Sequence, residues 1–334
     1  MIEYPKFKVS VSCMTYNQSK YITDAMNGFT MQQTSFPFVC TIVDDASTDG
    51  EQEVIRKYVE DNFDLSEGSV AYNKETDYAY VTYAQHKTNK NCYFVVLYLK
   101  ENHYSKKKDK CQYLKEWIDG IDYVAICEGD DYWIDSSKLQ KQIDFLDSHK
   151  DCSMCFHRAA VLDYIGKDTK HPLYFETQNR VYSSDELFKD WIVPTCSIIC
   201  RKDCLTYPIK GSNRISSGDI FLVLSCAAIG EVWGMTDFMS VYRISYSGVT
   251  YNAEHHRKAI MNYPEHMECI RDNFPKLNKD LIDGSVAWFY YERSKYQDKW
   301  QNKCHDLINA VRNKKSIIKL IVISTIKKIL FLEK

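Results

Sequence analysis

The residues of this 334-residue chain whose placement could do chemistry are carboxylates. Asp44 and Asp45 stand together at the end of one apolar run. Glu128, Asp130 and Asp131 end another, and Asp219 precedes a third. Carboxylates gathered at one edge repel unless something neutralises them. A hard divalent cation, Mg²⁺ or Mn²⁺, does this through oxygen ligands and also bridges phosphate oxygens. One Asp-Asp pair alone is more often a turn or a helix cap. Two acidic groups, each following a strand-like run, favour a binding site. No G-x-x-x-x-G-K-[ST] sequence occurs and no G-x-G-x-x-G follows the first strand, which disfavours a P-loop or a dinucleotide fingerprint. Phosphates would then be held by a cation on acidic side chains.

The elements that must position these groups alternate between two periods. Residues 8–14 alternate as a strand, and Ile22, Ala25, Met26 and Phe29 then fall at helical spacing. Residues 38–43 form an apolar strand, followed by Val54, Ile55, Tyr58 and Val59 at helical spacing. Such alternation predicts an α/β fold with a parallel sheet, in which ligands bind beyond the carboxyl ends of the strands. Further along, residues 93–99 are apolar, and Leu114, Trp117 and Ile118 predict a helix stopped by Gly120. Residues 123–127 form a strand running into Glu128. Ser136 or Ser137 can cap a helix with Leu139, Ile143 and Leu146 on one face. Residues 152–156 and 195–200 read as strands, 215–219 as a polar loop, 220–229 as an apolar helix ended by Gly230, and 231–243 as one or two strands. Past residue 247 strand signals vanish, which places a domain boundary there and a mainly helical region over 248–334.

Composition narrows the function classes. A net charge of -2 calls for no nucleic-acid partner. Among the 25 Tyr, 15 Phe and 6 Trp residues, Tyr and Trp offer flat faces suited to sugars and bases, although most of the aromatics are better read as filling core and surface positions. Residues 1–5 lead into the first strand without a signal-peptide pattern, so a cytoplasmic setting and reduced thiols are expected. Cys152-x-x-Cys155 and Cys196, Cys200 and Cys204 invite a zinc reading. Without a paired second CxxC, buried thiols are the better account. No apolar run is long enough to span a membrane. Residues 316–332 are rich in Ile and Leu, carry Lys319, Lys327 and Lys328, and follow Lys314 and Lys315. Such a basic amphipathic tail suits either an anionic membrane surface or packing on protein, and the two readings are equally open.

Three segments carry a resemblance. Val9-Ser-Val-Ser-Cys-Met-Thr-Tyr-Asn17, Ile42-Val-Asp-Asp-Ala-Ser-Thr-Asp-Gly50 and Ile126-Cys-Glu-Gly-Asp-Asp-Tyr-Trp133, in this order and spacing, resemble the signatures of family 2 glycosyltransferases with the GT-A fold, over residues 6–247. The resemblance implies a metal-dependent, inverting enzyme of the bacterial surface-glycan type. It would move a sugar from a nucleotide-diphosphate donor, commonly a UDP-sugar, to a hydroxyl of a cell-surface glycan or lipid-linked precursor. Thr15, Tyr16 and Asn17 would line the nucleotide pocket, and Asp44 or Asp45 would accept a hydrogen bond from the base. Asp130 would hold Mg²⁺ or Mn²⁺, with Asp131 beside it. Glu128 replaces the commoner Asp, leaving metal coordination and ribose contact both open. Asp219, after Ser217-Gly218, matches the general base, the alternative being a helix cap. Arg243 in Val241-Tyr242-Arg243 would meet diphosphate or acceptor, or form a salt bridge. Lys100-Glu-Asn102 stands where the family has Ala-Arg-Asn, and no role is carried over.

Other residues have two readings each. His157 fits an acceptor approach or a core position, Trp133 sugar stacking or packing, and His255 and His256 a flap or a solvated helix start. The location implied is cytoplasmic, with peripheral contact at the inner face of the cell membrane. A nucleotidyltransferase would want a glycine-rich loop after the first strand, which Thr15-Tyr-Asn-Gln-Ser19 lacks. A catalytically inactive scaffold or glycan-binding protein is disfavoured by the retention of Asp130, Asp131 and Asp219.

Overall fold

The structure, a computed structural model, describes residues 4–163, 168–169, 172–244 and 253–322. It divides into two compact units, one of Met1–Ser183, Asp190–Thr206 and Ile229–Ile244, the other of Ser184–Lys189, Tyr207–Ala228 and Ser245–Lys334.

The first unit begins with β1 (Val9–Thr15), α1 (Ile22–Thr30), β2 (Phe38–Asp44) and α2 (Glu51–Asn62). β3 (Phe63–Asp64), β4 (Tyr72–Glu75), β5 (Ala79–His86) and β6 (Cys92–Leu99) follow, then α3 (Lys115–Ile118), β7 (Tyr123–Ile126) and β8 (Tyr132–Trp133). Next are α4 (Lys138–Ser148), β9 (Cys152–Leu162), β10 (Asp168–Thr169), α5 (Pro172–Phe175), β11 (Arg180–Tyr182), β12 (Ile199–Arg201) and β13 (Glu231–Arg243). The strands form one sheet in the order β11-β13-β9-β12-β7-β1-β2-β6-β5-β3, with β10, β4 and β8 attached to β9, β5 and β13.

The centre of the sheet, β7-β1-β2-β6, is parallel, and β13 also runs parallel to β9. This is the mostly parallel, helix-flanked α/β core that the alternating periods predict. Every residue of β2 is buried, as a strand covered on both faces requires. The register sets Thr15 opposite Asp44, so β1 and β2 finish side by side at the carboxyl edge. α1 packs its Phe29 edge-on against Trp133, with ring centroids 5.0 Å apart.

Several segments are shorter or more broken than their sequence implies. The helix predicted around Trp117 is a 3-10 turn, Cys111–Leu114, followed by one turn of α-helix. The strand expected over 195–200 is a 3-10 turn, Thr195–Ser197, leading into β12. By contrast, 231–243 is one strand, carried across register shifts.

The second unit is helical among its described residues: α6 (Ser184–Lys189), α7 (Gly218–Ile229), α8 (Ala253–Asn273), α9 (Lys279–Ser294) and α10 (Trp300–Asn313). Asn278 caps α9 by accepting the Leu281 N–H at 3.2 Å. A buried guanidinium ties three helices together. Arg293 on α9 reaches Asp306 on α10 at 2.8 Å and Glu265 on α8 at 2.7 Å. The unit also takes in 184–189 and 207–228, which precede residue 247 in the chain.

Gly28 lies where α1 meets β8, and a Cβ there would come within 2.8 Å of the Trp133 backbone nitrogen. Backbone cannot move aside as a side-chain tip can. Gly28→Ala should destabilise the chain by about 1–3 kcal/mol, read as a lower urea midpoint at unchanged slope.

Candidate active site

The loops after β1 and β2 are joined by one buried acid. Glu51 opens α2 and has no exposed surface. Its Oε2 accepts the Gln18 backbone N–H at 2.9 Å and the Ser47 hydroxyl at 2.8 Å, while its Oε1 accepts the Thr15 hydroxyl. Burial raises its carboxyl above the ordinary value, against the lowering effect of these bonds. More bonds lace the same loops. Asn17 N–H donates to Ser47 Oγ at 2.9 Å, and Asn17 Oδ1 accepts the Thr48 N–H at 2.8 Å. Asn17 and Ala46 hold positive φ angles of 54° and 61°, and Gly50 one of 88°. Left-handed backbone at two non-glycine positions persists only where surrounding bonds over-determine it. Thr15 and Asn17 thus build the rim, whereas the Tyr16 ring is 45% exposed.

Asp44 and Asp45 are both fully buried and differ in their partners. Asp44 Oδ1 accepts the Ser47 N–H at 3.1 Å and the Gln52 amide at 2.5 Å, and its Oδ2 has no hydrogen-bond partner among the described residues. Burial raises the Asp44 carboxyl. Asp45 is the anchor of the loop after β6. It accepts the backbone N–H groups of His103 at 2.7 Å and Tyr104 at 3.0 Å, and Lys110 Nζ lies 3.1 Å away. Asn102 donates to the Asp45 carbonyl at 3.0 Å. The Lys100-Glu-Asn102 stretch therefore leads into a loop fastened onto Asp45. Periodicity could not find this contact, because its partners lie 57 to 65 positions away.

The third acidic loop fits against the first. Gly129 donates its N–H to the Met14 carbonyl at 3.1 Å. A Cβ on Gly129 would fall inside the Thr15 and Gln18 side chains, so only glycine lets the loop seat here. Asp130 is partly exposed and Asp131 is buried. Burial raises the Asp130 carboxyl, with Arg243 and Gln18 opposing the rise. Burial, then the charge of Asp130, raises Asp131. Asp131 Oδ1 accepts the Arg243 backbone N–H at 2.8 Å, and the Arg243 guanidinium donates to the Asp130 carbonyl at 2.9 Å. The same guanidinium pairs with Asp24 and lies 4.3 Å from the Tyr132 ring centroid. Arg243 thus clamps the turn that carries both aspartates. The charge of Glu128 reaches Asp131.

Carboxylate oxygens that repel one another are donors of the chemistry that suits a hard divalent cation. Among the described residues this cluster does not bring three ligand atoms within 4.8 Å of one another. A cation held mainly by Asp130 would complete its shell with phosphate oxygens and water, as Mg²⁺ commonly does.

Asp219 belongs to the second unit, in the first turn of α7. Its side chain is accessible to solvent, yet the protein crowded around it raises its carboxyl. His157 is fully buried in β9, with its Nδ1 on the Arg158 carbonyl at 2.8 Å, and burial keeps it well below the usual histidine range. Trp133 is buried and donates its indole N–H to the Cys196 carbonyl at 2.9 Å, as a packing residue does. Cys152, Cys155, Cys196, Cys200 and Cys204 are buried, and burial raises Cys155 to about 12. His255 and His256 lie outside the residues whose side chains are described.

No protein-family model matches the chain. Uncharacterized proteins of Mycobacterium bovis and Mycobacterium tuberculosis are each 29% identical to it over 246 residues, covering 73% of this chain. The chain spans 61% of the length of these relatives. Among solved structures, Staphylococcus aureus TarS 1–349 in complex with UDP is similar at 16% identity and a TM-score of 0.53, over 92% of this chain and 81% of that one. The same protein with UDP-GlcNAc gives 17% identity and 0.53, over 91% and 80%. The mannosyltransferase PcManGT of Pyrobaculum calidifontis, with GDP-Man and Mn²⁺, gives 14% and 0.53, over 99% and 82%. At these identities the likeness is one of fold.

The Glu51 anchor makes a direct prediction. Glu51→Gln keeps the size but sets an amide NH₂ where a carboxylate oxygen accepts, at a cost of about 1–3 kcal/mol. Because the folded carboxyl is raised, the unfolded chain loses this proton first as pH climbs past 4.5. The contribution of this group to stability therefore declines between 4.5 and its raised folded value. Urea unfolding across a pH series should show a lower midpoint for the variant and a shallower decline through that window.

Proposed function

We propose that this protein is an inverting glycosyltransferase that moves a sugar from a nucleotide-diphosphate donor, a UDP-sugar, to a hydroxyl of a cell-surface glycan or lipid-linked precursor. The observation that most supports the reading is the lacing of three strand-end loops into one acidic rim through Thr15, Gln18 and Glu51. Solved structures of like fold hold UDP, UDP-GlcNAc, or GDP-Man with Mn²⁺.

In this reading Thr15, Tyr16 and Asn17 form the donor pocket, with the exposed Tyr16 ring free to meet the base. Asp44 or Asp45 accepts the hydrogen bond from the base; both Asp45 oxygens are engaged by the loop after β6, whereas the Asp44 Oδ2 has no hydrogen-bond partner among the described residues. Asp130 holds Mg²⁺ or Mn²⁺, Asp131 backs it, and Glu128 reaches the ion or the ribose. Arg243 keeps the turn in shape. Bound there, the cation would supply positive charge against the leaving diphosphate. Asp219 takes the proton of the acceptor hydroxyl as that oxygen bonds to the anomeric carbon. The bond from that carbon to the diphosphate oxygen breaks on the opposite face, the nucleoside diphosphate leaves with the electron pair, and configuration inverts. A carboxyl raised by its surroundings is a stronger base than one in water, which suits this role.

The exposed apolar residues near the end of the described chain suit peripheral contact with an anionic membrane surface and packing on protein equally. Ile318, Leu320 and Val322 are each at least 45% exposed, beside Lys315 and Lys319. No helix of the described residues is long and apolar enough to cross a membrane. The rest of the tail, residues 323–334, lies outside the described residues.

Thermal shift with UDP-GlcNAc, other UDP-sugars and GDP-mannose, with and without Mn²⁺, tests the reading. A bound donor stabilises the native state by mass action. A UDP-sugar with Mn²⁺ should raise the melting temperature most, and Asp130→Asn should remove the Mn²⁺-dependent part. Asp219→Asn should keep the shift while slowing turnover by about 10²–10⁴-fold. Absence of any nucleotide-sugar shift with Mn²⁺ would contradict the assignment.

A further inference from the structure

In the second unit, the loop leading to Asp219 is fastened to α8 by a histidine. The Ser216 backbone N–H donates to His266 Nδ1 at 3.2 Å, three positions before Asp219. The His266 ring has no exposed surface. Phe221, from the first turns of α7, packs on it with centroids 5.3 Å apart, and Tyr263 meets it edge-on at 5.3 Å. Tyr263 also stacks on Phe289 of α9 at 4.8 Å, which fixes the aromatic wall from behind. The phenol of Tyr263 is raised by burial and then by the charge of Asp219, so the carboxylate lies within electrostatic reach of this wall.

The chemistry of the ring explains why a histidine stands here. Nδ1 accepts, so the proton of the neutral imidazole sits on Nε2. Burial keeps the ring neutral by lowering it to about 4. Among the described residues Nε2 has no hydrogen-bond partner, and a buried donor without one costs stability. A phenylalanine would fill the same aromatic space without that cost. What only the histidine adds is the acceptor for Ser216.

We propose that His266 is a positioning residue for the transfer, with Nδ1 holding the loop 216–219 and so aiming the Asp219 carboxylate. This rests on the reading of Asp219 as the base. A small misplacement of a catalytic group costs up to about 100-fold in rate, so the hold matters to turnover more than to binding.

The test uses the full chain, with UDP release from UDP-GlcNAc in Mn²⁺ as the probe and amide hydrogen exchange of residues 212–219 as an independent readout. His266→Phe should speed exchange of the Ser216 amide and lower kcat by about 10- to 100-fold, with the donor KM nearly unchanged. His266→Asn places an oxygen near Nδ1 and should restore most of both, whereas His266→Gln, whose oxygen falls near Nε2, should not. The Asn and Gln pair keeps the test decisive if the Phe variant folds poorly. Adding His266→Phe to Asp219→Asn should cause no further loss. Wild-type kcat in His266→Phe, unchanged exchange at Ser216, or a multiplicative loss in the double variant overturns the proposal. Undiminished turnover in Asp219→Asn instead overturns the base reading, and an absence of UDP release from the wild type overturns UDP-GlcNAc as the donor. In both of those cases, Ser216 exchange unaffected by His266→Phe still overturns the hold.

Discussion

A carboxylate removed from water must have its oxygens engaged by donors, or its burial costs more than a small fold can bear. Glu51 meets that demand with groups from two different loops, the Thr15 hydroxyl and Gln18 N–H from one and the Ser47 hydroxyl from the other. The constraint therefore works in both directions. The loops make the burial tolerable, and the buried acid holds the loops in register. With Thr15 fixed, the space beside it has one shape, and Gly129 is the residue that fits it. The position of the Asp130 and Asp131 turn follows from that fit and from the Arg243 clamp behind it.

The electrostatics of the rim follow from the same packing. Asp44, Glu51, Asp130 and Asp131 are all pushed up by burial, so each would gain from a neighbouring positive charge. Two protein cations already sit nearby, Lys110 on Asp45 and Arg243 against the Asp130 turn. Both are engaged in holding backbone or loops in place. An acidic rim of this kind repels a bare diphosphate and accepts one that arrives with a divalent ion, which is the physical reason to join metal and nucleotide in one account.

Much of this arrangement was legible in the sequence. β1, α1, β2, α2, β7, α4 and α7 fall where periodicity placed them, because each has a clean apolar face or a fully apolar run. The acidic groups at strand ends follow from those boundaries. The features without a local signal depend on distant partners. Glu51 reads locally as an ordinary first-turn acid, and its burial comes from residues 33 to 36 positions earlier. His266 sits in a polar stretch whose helical face is set by α7 and α9. The backbone of the lysine-rich loop after β6 closes on Asp45 through His103 and Tyr104, a contact that no local pattern marks. The hairpin of β4 and β5 leaves no pattern in the sequence, because β4 is largely exposed and carries no alternation.

If the three strand-end loops form one site for a nucleotide diphosphate, hydrogen exchange on the whole chain with UDP and Mn²⁺ reveals it. Residues 15–20, 44–50 and 127–131 should then become protected together, and only when both UDP and Mn²⁺ are present. Protection confined to one of these segments, or found elsewhere while all three exchange as before, would contradict it.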